Sequence, residues 1–211
     1  MNGYDNFLKK YRIYTIISLG IAVAIWQFIA VFIVNNSFIL PSFTETITSL
    51  YDLIVRMEIF ADLLISLYHF AIGMFFAIIF GIPIGMAMGW FKKIDNLMDP
   101  LIELLRPVPP LAWIPFAIVW FGLTHQSAGF IIFIGAFFPI LTNTYSGFSS
   151  VPKTLVEAAK VLGCTKNKDL LKSVGLPSSF PDIAVGLRVA MGIGWMCLVA
   201  AELFGVSKEG L

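Results

Sequence analysis

Residues 13–34 run for 22 positions without a charged side chain, long enough for a helix to cross the roughly 30 Å hydrocarbon core of a bilayer. Four further segments repeat the pattern. They are 63–90, uncharged apart from a possible proton on His69; 101–123, interrupted by prolines; 127–148, uncharged; and 182–204, with Arg188 and Glu202 near its two ends. Backbone polar groups in lipid must be satisfied within the protein, and segments of this length do so as helices. The expected fold is an all-α polytopic membrane bundle, one transmembrane domain over residues 1–211 with five spans.

Composition supports lipid as the solvent. Charged residues are 13% of the chain, about half the share usual in soluble domains. The net charge of +1 gives no footing for a nucleic-acid partner. Cys164 and Cys197 lie in different segments without metal-ligand spacing, so two free thiols are expected. Lys9, Lys10 and Arg12 precede the first apolar segment in signal-peptide order, but the segment is too long and exits through Asn35-Asn36-Ser37. It reads as a retained first span.

Basic residues orient the chain. With the N-terminus inside, the inner segments hold eleven of the fourteen Lys and Arg residues, and the outer segments hold only Arg56 and Lys208. That bias is the positive-inside pattern. Outside, Ile47, Leu50, Ile54 and Met57 recur at helical spacing, which predicts a short helix over 44–57 with Thr44 as its cap. The last residues, Lys208-Glu209-Gly210-Leu211, would end outside, and a sixth span is expected beyond them.

Small residues recur at every fourth position in the second span (Gly73, Ala77, Gly81, Gly85, Gly89) and in the fifth (Gly186, Ala190, Gly194). Such stripes let helix backbones approach closely; they serve static packing in general and sliding surfaces in particular cases. Arg106-Pro107-Val108-Pro109-Pro110 predicts a non-helical entry to the third span, and Pro115 and Pro139 predict kinks. Arg188 is expected about 10 Å from the inner end of the fifth span, by helix rise. His69 reads as a satisfied residue near the outer interface. With no acidic pair or His chain at mid-membrane, the relay an ion-coupled secondary transporter needs is missing. A membrane-embedded enzyme is disfavoured in the same way: no catalytic constellation, metal-ligand set or cofactor motif appears.

The substantial inner loop is 149–180. Serines and Pro152 mark a helix start and Gly163 its end. Leu155, Ala158, Ala159 and Leu162 fall on one face, with Lys153, Glu157 and Lys160 on another and Lys153 and Glu157 at i, i+4. A second helix over 168–174 is expected, with Gly175, Pro177 and Pro181 then breaking the chain before the fifth span. A short amphipathic helix at the membrane surface suits either a groove on a soluble partner or the bilayer surface itself.

Glu157-Ala158-Ala159, then Gly163, then Leu176-Pro177 resembles the EAA loop of ABC importer permeases. One residue more than is usual there lies between Gly163 and Leu176, and it is expected between the two loop helices. Leu40-Pro41-Ser42, the run from Leu105 to Pro115, Trp120-Phe121-Gly122, Gly186-Leu187-Arg188 and Ala200-Ala201-Glu202 are similar to the nitrate/sulfonate/taurine/bicarbonate branch. In that branch a basic residue commonly stands where this chain has His69.

The resemblance implies a type I importer permease fold, usually of six spans, in the cytoplasmic membrane of a bacterium or archaeon. It implies a permease homodimer forming the path, an ATPase subunit docked inside on the loop helix, and a substrate-binding protein docked outside. Leu155, Glu157, Ala158, Ala159, Leu162 and Gly163 would be the ATPase-coupling residues. The implied substrate is a small anionic or polar solute. The chain has no phosphate-binding loop of its own, so ATP hydrolysis is assigned to the separate subunit and no cofactor is expected.

Overall fold

A computed structural model describes residues 2–205 as helices joined by short turns. The expectations attached to Lys208 and to the end of the chain lie outside the described residues. Residues divide into two units, 1–60 and 61–211.

In the first unit, α1 (Asn2–Phe28) widens into a π-helical turn over Ile29–Val34 and stops at Asn35, whose φ of 43° is left-handed. The following helix, α2 (Phe43–Val55), is capped by Ser42, not by Thr44 as expected. Glu45 explains the difference. Its carboxylate accepts from the Ser42 backbone N–H while the Ser42 hydroxyl accepts from the Glu45 N–H, a reciprocal capping box that satisfies two orphan donors. Thr44, displaced into the first turn, meets the Gln27 side chain, and Trp26 Nε1 donates to the Pro41 carbonyl.

The second unit holds α3 (Glu58–Trp90), α4 (Lys92–Leu105), α5 (Ile114–Phe121), α6 (His125–Ser149), α7 (Lys153–Val161), α8 (Asn167–Leu170) and α9 (Leu176–Leu203). Its core lies on α6. One apolar cluster joins Ile131, Ile132 and Ala128 to Ala117 of α5 and Leu198 of α9; a second joins Ile140 to Ala77 of α3 and Ala190 of α9; a third joins Leu141 to Met88 of α3 and Ile102 of α4.

The glycine stripe of α3 lies flat against α6. A Cβ at Gly73 would sit 2.6 Å from the Ile132 side chain, one at Gly85 2.6 Å from the Leu141 carbonyl oxygen, and one at Gly89 2.6 Å from Phe148. Those distances leave room for hydrogen and nothing larger, so the stripe is a close-packed seam.

Among the described residues four helices are long and apolar enough to span: Tyr14–Val34, Ile59–Trp90, His125–Ser149 and Asn167–Leu203. The expected third span over 101–123, interrupted by prolines, is a bent pair, α4 followed by a 3-10 turn at Pro110–Trp113 and α5, with an angle of 84° between them, and it makes a fifth span if the pair crosses as one. Pro107, Pro109 and Pro110 lack the N–H groups that would carry the ladder through. Pro115 makes no kink; it occupies the first turn of α5, where its missing donor is not needed. Pro139 lies inside α6.

The fifth span also differs from expectation. Gly175, Pro177 and Pro181 do not interrupt it. A π-helical turn over Leu171–Gly175 carries α8 directly into α9, and Pro177 falls in the first turn of α9. Arg188 is therefore the thirteenth of the 28 residues of α9, about 18 Å along it by helix rise, deeper than the sequence suggests.

Candidate functional site

Two groupings bear on function, one at each end of the second unit. At the end where α6 finishes and α9 begins, α7 starts after Pro152 and runs to Val161. Gly163 follows with φ +98° and open space around its α-carbon. Its backbone conformation, not packing, selects glycine. The turn closes with Gly163 N–H on the Lys160 carbonyl and Cys164 N–H on the Ala159 carbonyl.

The structure brings the expected loop residues together on α7 and its turn, with one rotation of detail. Val156 and Ala159 are half-buried and face the rest of the unit, whereas Leu155, Glu157, Ala158, Leu162 and Gly163 are exposed. Leu162 is 85% exposed and its neighbour Val161, which the helical-face reading passed over, is 88% exposed. No residue of α7 is buried, so this apolar pair at its end is bare in the chain by itself. Among the described residues Glu157 makes no ion pair with Lys153 or Lys160, although the i, i+4 spacing allows one.

The segment beneath α7 is anchored. Leu170 is buried, and a Cβ at Gly175 would sit 3.0 Å from the Trp90 ring and 3.1 Å from the Phe148 ring. Residues 167–203 form one continuous helical stretch of 37 residues, so α8 runs into α9 without a non-helical break.

At the opposite end, Ser66 and His69 of α3, His125 at the start of α6 and Glu202 near the end of α9 form a chain of polar groups. His69 Nδ1 is 3.1 Å from Glu202 Oε1, His69 Nε2 is 2.7 Å from His125 Nδ1, and the Ser66 hydroxyl donates to Glu202 Oε2 at 2.9 Å. Ser66 and His69 are fully buried, and Glu202 nearly so; His125 is exposed. A His69 that donates from Nδ1 to the carboxylate either accepts at Nε2 from His125 when neutral or donates there when protonated, so the chain closes in both forms.

The sequence reading found a satisfied His69 and no His chain at mid-membrane. His69 is satisfied, by Glu202 and His125, but that reading missed that three ionisable groups from three helices meet at this end. The available signal was topological: His69, His125 and Glu202 all fall toward the ends of their helices opposite the 149–180 loop. Among the described residues no group of three His, Cys, Asp or Glu side chains is arranged to hold a metal ion.

Residues 77–210 match the family described as the binding-protein-dependent transport system inner membrane component. The chain is 46% identical over 196 residues to a putative ABC transporter permease protein of Methanocaldococcus jannaschii, covering 91% of this chain and 73% of that one. It is 37% identical to the putative aliphatic sulfonates transport permease protein SsuC of Bacillus subtilis, with 90% and 68% covered. It is 33% identical to the taurine transport system permease protein TauC of Escherichia coli, with 90% and 71% covered.

Proposed function

Since the chain belongs to the binding-protein-dependent transport inner membrane component family, we propose that it is the membrane subunit of an ATP-driven importer that receives the ATPase stroke on α7. The observation that carries the reading is the exposed face of Leu155, Ala158, Val161 and Leu162 on a helix that packs on α8 and the π-helical turn leading into α9. A groove on a soluble ATPase would cover this apolar face, Ala158 would permit close approach, and Glu157, lacking an ion pair within the chain, would meet a basic group of that partner. Movement of the docked helix would then pass through α8 and the π-helical turn into α9.

The importer works with an extracytoplasmic substrate-binding protein and pairs with a second copy of itself. Its N-terminus and α7 lie on the cytoplasmic side, as the distribution of Lys and Arg favours. Its solute is a small oxyanion-bearing molecule of the sulfonate or taurine class. Support for that class comes from the names of its relatives.

The test is uptake by the whole complex in proteoliposomes. Glu157→Arg and Leu162→Asp should each lower ATP-driven uptake at least tenfold and weaken retention of the ATPase subunit, with the permease still inserted in the membrane. Normal uptake by both variants contradicts the coupling role.

A further inference from the structure

On the reading that this chain is an importer permease, we infer that a cavity beside the broken third span is an anion subsite on the solute's path, with Arg106 as its charge. The cavity measures about 360 Å³ and is walled by the break between α4 and α5, by α6 and by α9. Arg106 supplies a guanidinium, Thr142 and Asn143 supply polar groups, and Val189, Ile193 and Phe138 supply apolar wall. The α6 wall reaches from its tenth residue to its nineteenth of 25, and the α9 wall from its fourteenth residue to its eighteenth of 28. Those are central stretches of two spanning helices.

Three features point to a small oxyanion. Non-helical backbone at membrane depth survives where protein or a water-filled cavity covers it, and broken helices border solute sites in transporters. The break itself is poor in donors: Pro107, Pro109 and Pro110 have no N–H, and the N–H groups of Arg106 and Val108 already bond to the Ile102 and Leu105 carbonyls. The Arg106 side chain is thus the main donor of this wall, and its planar fork matches a carboxylate, sulfonate or nitrate head. Finally, Arg106 makes no ion pair with an acidic residue among the described residues. Asn143 donates from Nδ2 to the Pro139 carbonyl and Thr142 donates to the Phe138 carbonyl, so both polar side chains are held in fixed positions. The volume is ample for a small oxyanion.

The experiment is uptake of taurine and of nitrate by the reconstituted complex of permease, ATPase and binding protein, in vesicles of purely zwitterionic lipid. For whichever probe the unsubstituted complex carries, Arg106→Gln should lower the maximal rate at least tenfold and leave the half-saturating concentration unchanged, because capture outside belongs to the binding protein. Arg106→Lys should recover the rate to within threefold. Asn143→Asp, which keeps the shape and adds a like charge, should lower the rate at least tenfold in a monodisperse complex. An unchanged maximal rate in Arg106→Gln overturns the inference. So does an Arg106→Lys complex as slow as the Gln one, or a defect that appears only when anionic lipid is added, which would make the cavity a lipid site. Absence of ATP-driven uptake of any solute by the unsubstituted complex would instead overturn the permease reading itself.

Discussion

His69 Nδ1 lies 3.1 Å from Glu202 Oε1 with both side chains buried, although 133 positions separate them in the chain. The pair ties α3 to α9, and His125 extends the tie to α6. A buried carboxylate is tolerable here because Ser66 and His69 both donate to it. Glu202→Ala should lower stability in detergent by about 1–3 kcal/mol, and Glu202→Gln, which keeps an acceptor, by about 1 kcal/mol. In a double-mutant cycle His69→Ala and Glu202→Ala should couple by at least about 0.5 kcal/mol. Strict additivity in chemical unfolding contradicts the tie.

The seam between α3 and α6 makes a sharper steric prediction. A Cβ at Gly85 meets the Leu141 carbonyl oxygen at 2.6 Å, a backbone atom that cannot rotate away, whereas Gly192 has nothing within 4 Å. Gly85→Ala should destabilise the protein by about 1–3 kcal/mol through overpacking. Gly192→Ala should be neutral or raise stability by a few tenths to about 1 kcal/mol. Comparable effects at the two positions, measured by thermal unfolding, contradict the seam.

Gly163 separates backbone conformation from packing. No atom crowds its α-carbon, and its φ of +98° alone disfavours a side chain. Uptake by the complex should fall in the order Gly, Asn, Ala, Val, because Asn visits positive φ more readily than Ala and a β-branched residue hardly at all. Equal uptake across the series would mean that the turn does not set the pose of α7.

Glu45 is held below its ordinary value of 4.5, first by the Ser42 backbone N–H and then by the Ser42 hydroxyl. A depressed folded value means that the cap contributes fully above pH 4.5 and is lost as pH falls through the lowered value. Ser42→Ala removes the hydroxyl and should cost α2 about 1 kcal/mol, with Glu45 titrating nearer 4.5. A carbon-13 titration of the Glu45 carboxyl group checks both statements, and a midpoint at or above 4.5 in the unsubstituted protein contradicts the cap.

Much of this was legible in the sequence for a physical reason: the bilayer imposes a length and an apolar composition on each span. The α7 helix was legible too, since a Pro152 start and a Gly163 stop are local signals. The prolines misled where position decides their effect. Pro177 sits harmlessly in a first turn, while Pro107 to Pro110 bend a presumed span by 84°. The His69–Glu202 tie and the Arg106 cavity were illegible, because each is assembled from helices distant in the chain. Hydropathy reports which segments meet lipid, and it is silent on which side chains meet one another.

The most direct measurement is photocrosslinking from position 162 in the assembled complex, with a photoreactive amino acid replacing Leu162. The account predicts an adduct to the ATP-binding subunit, formed from α7. Adducts confined to lipid or to another copy of the permease would contradict it.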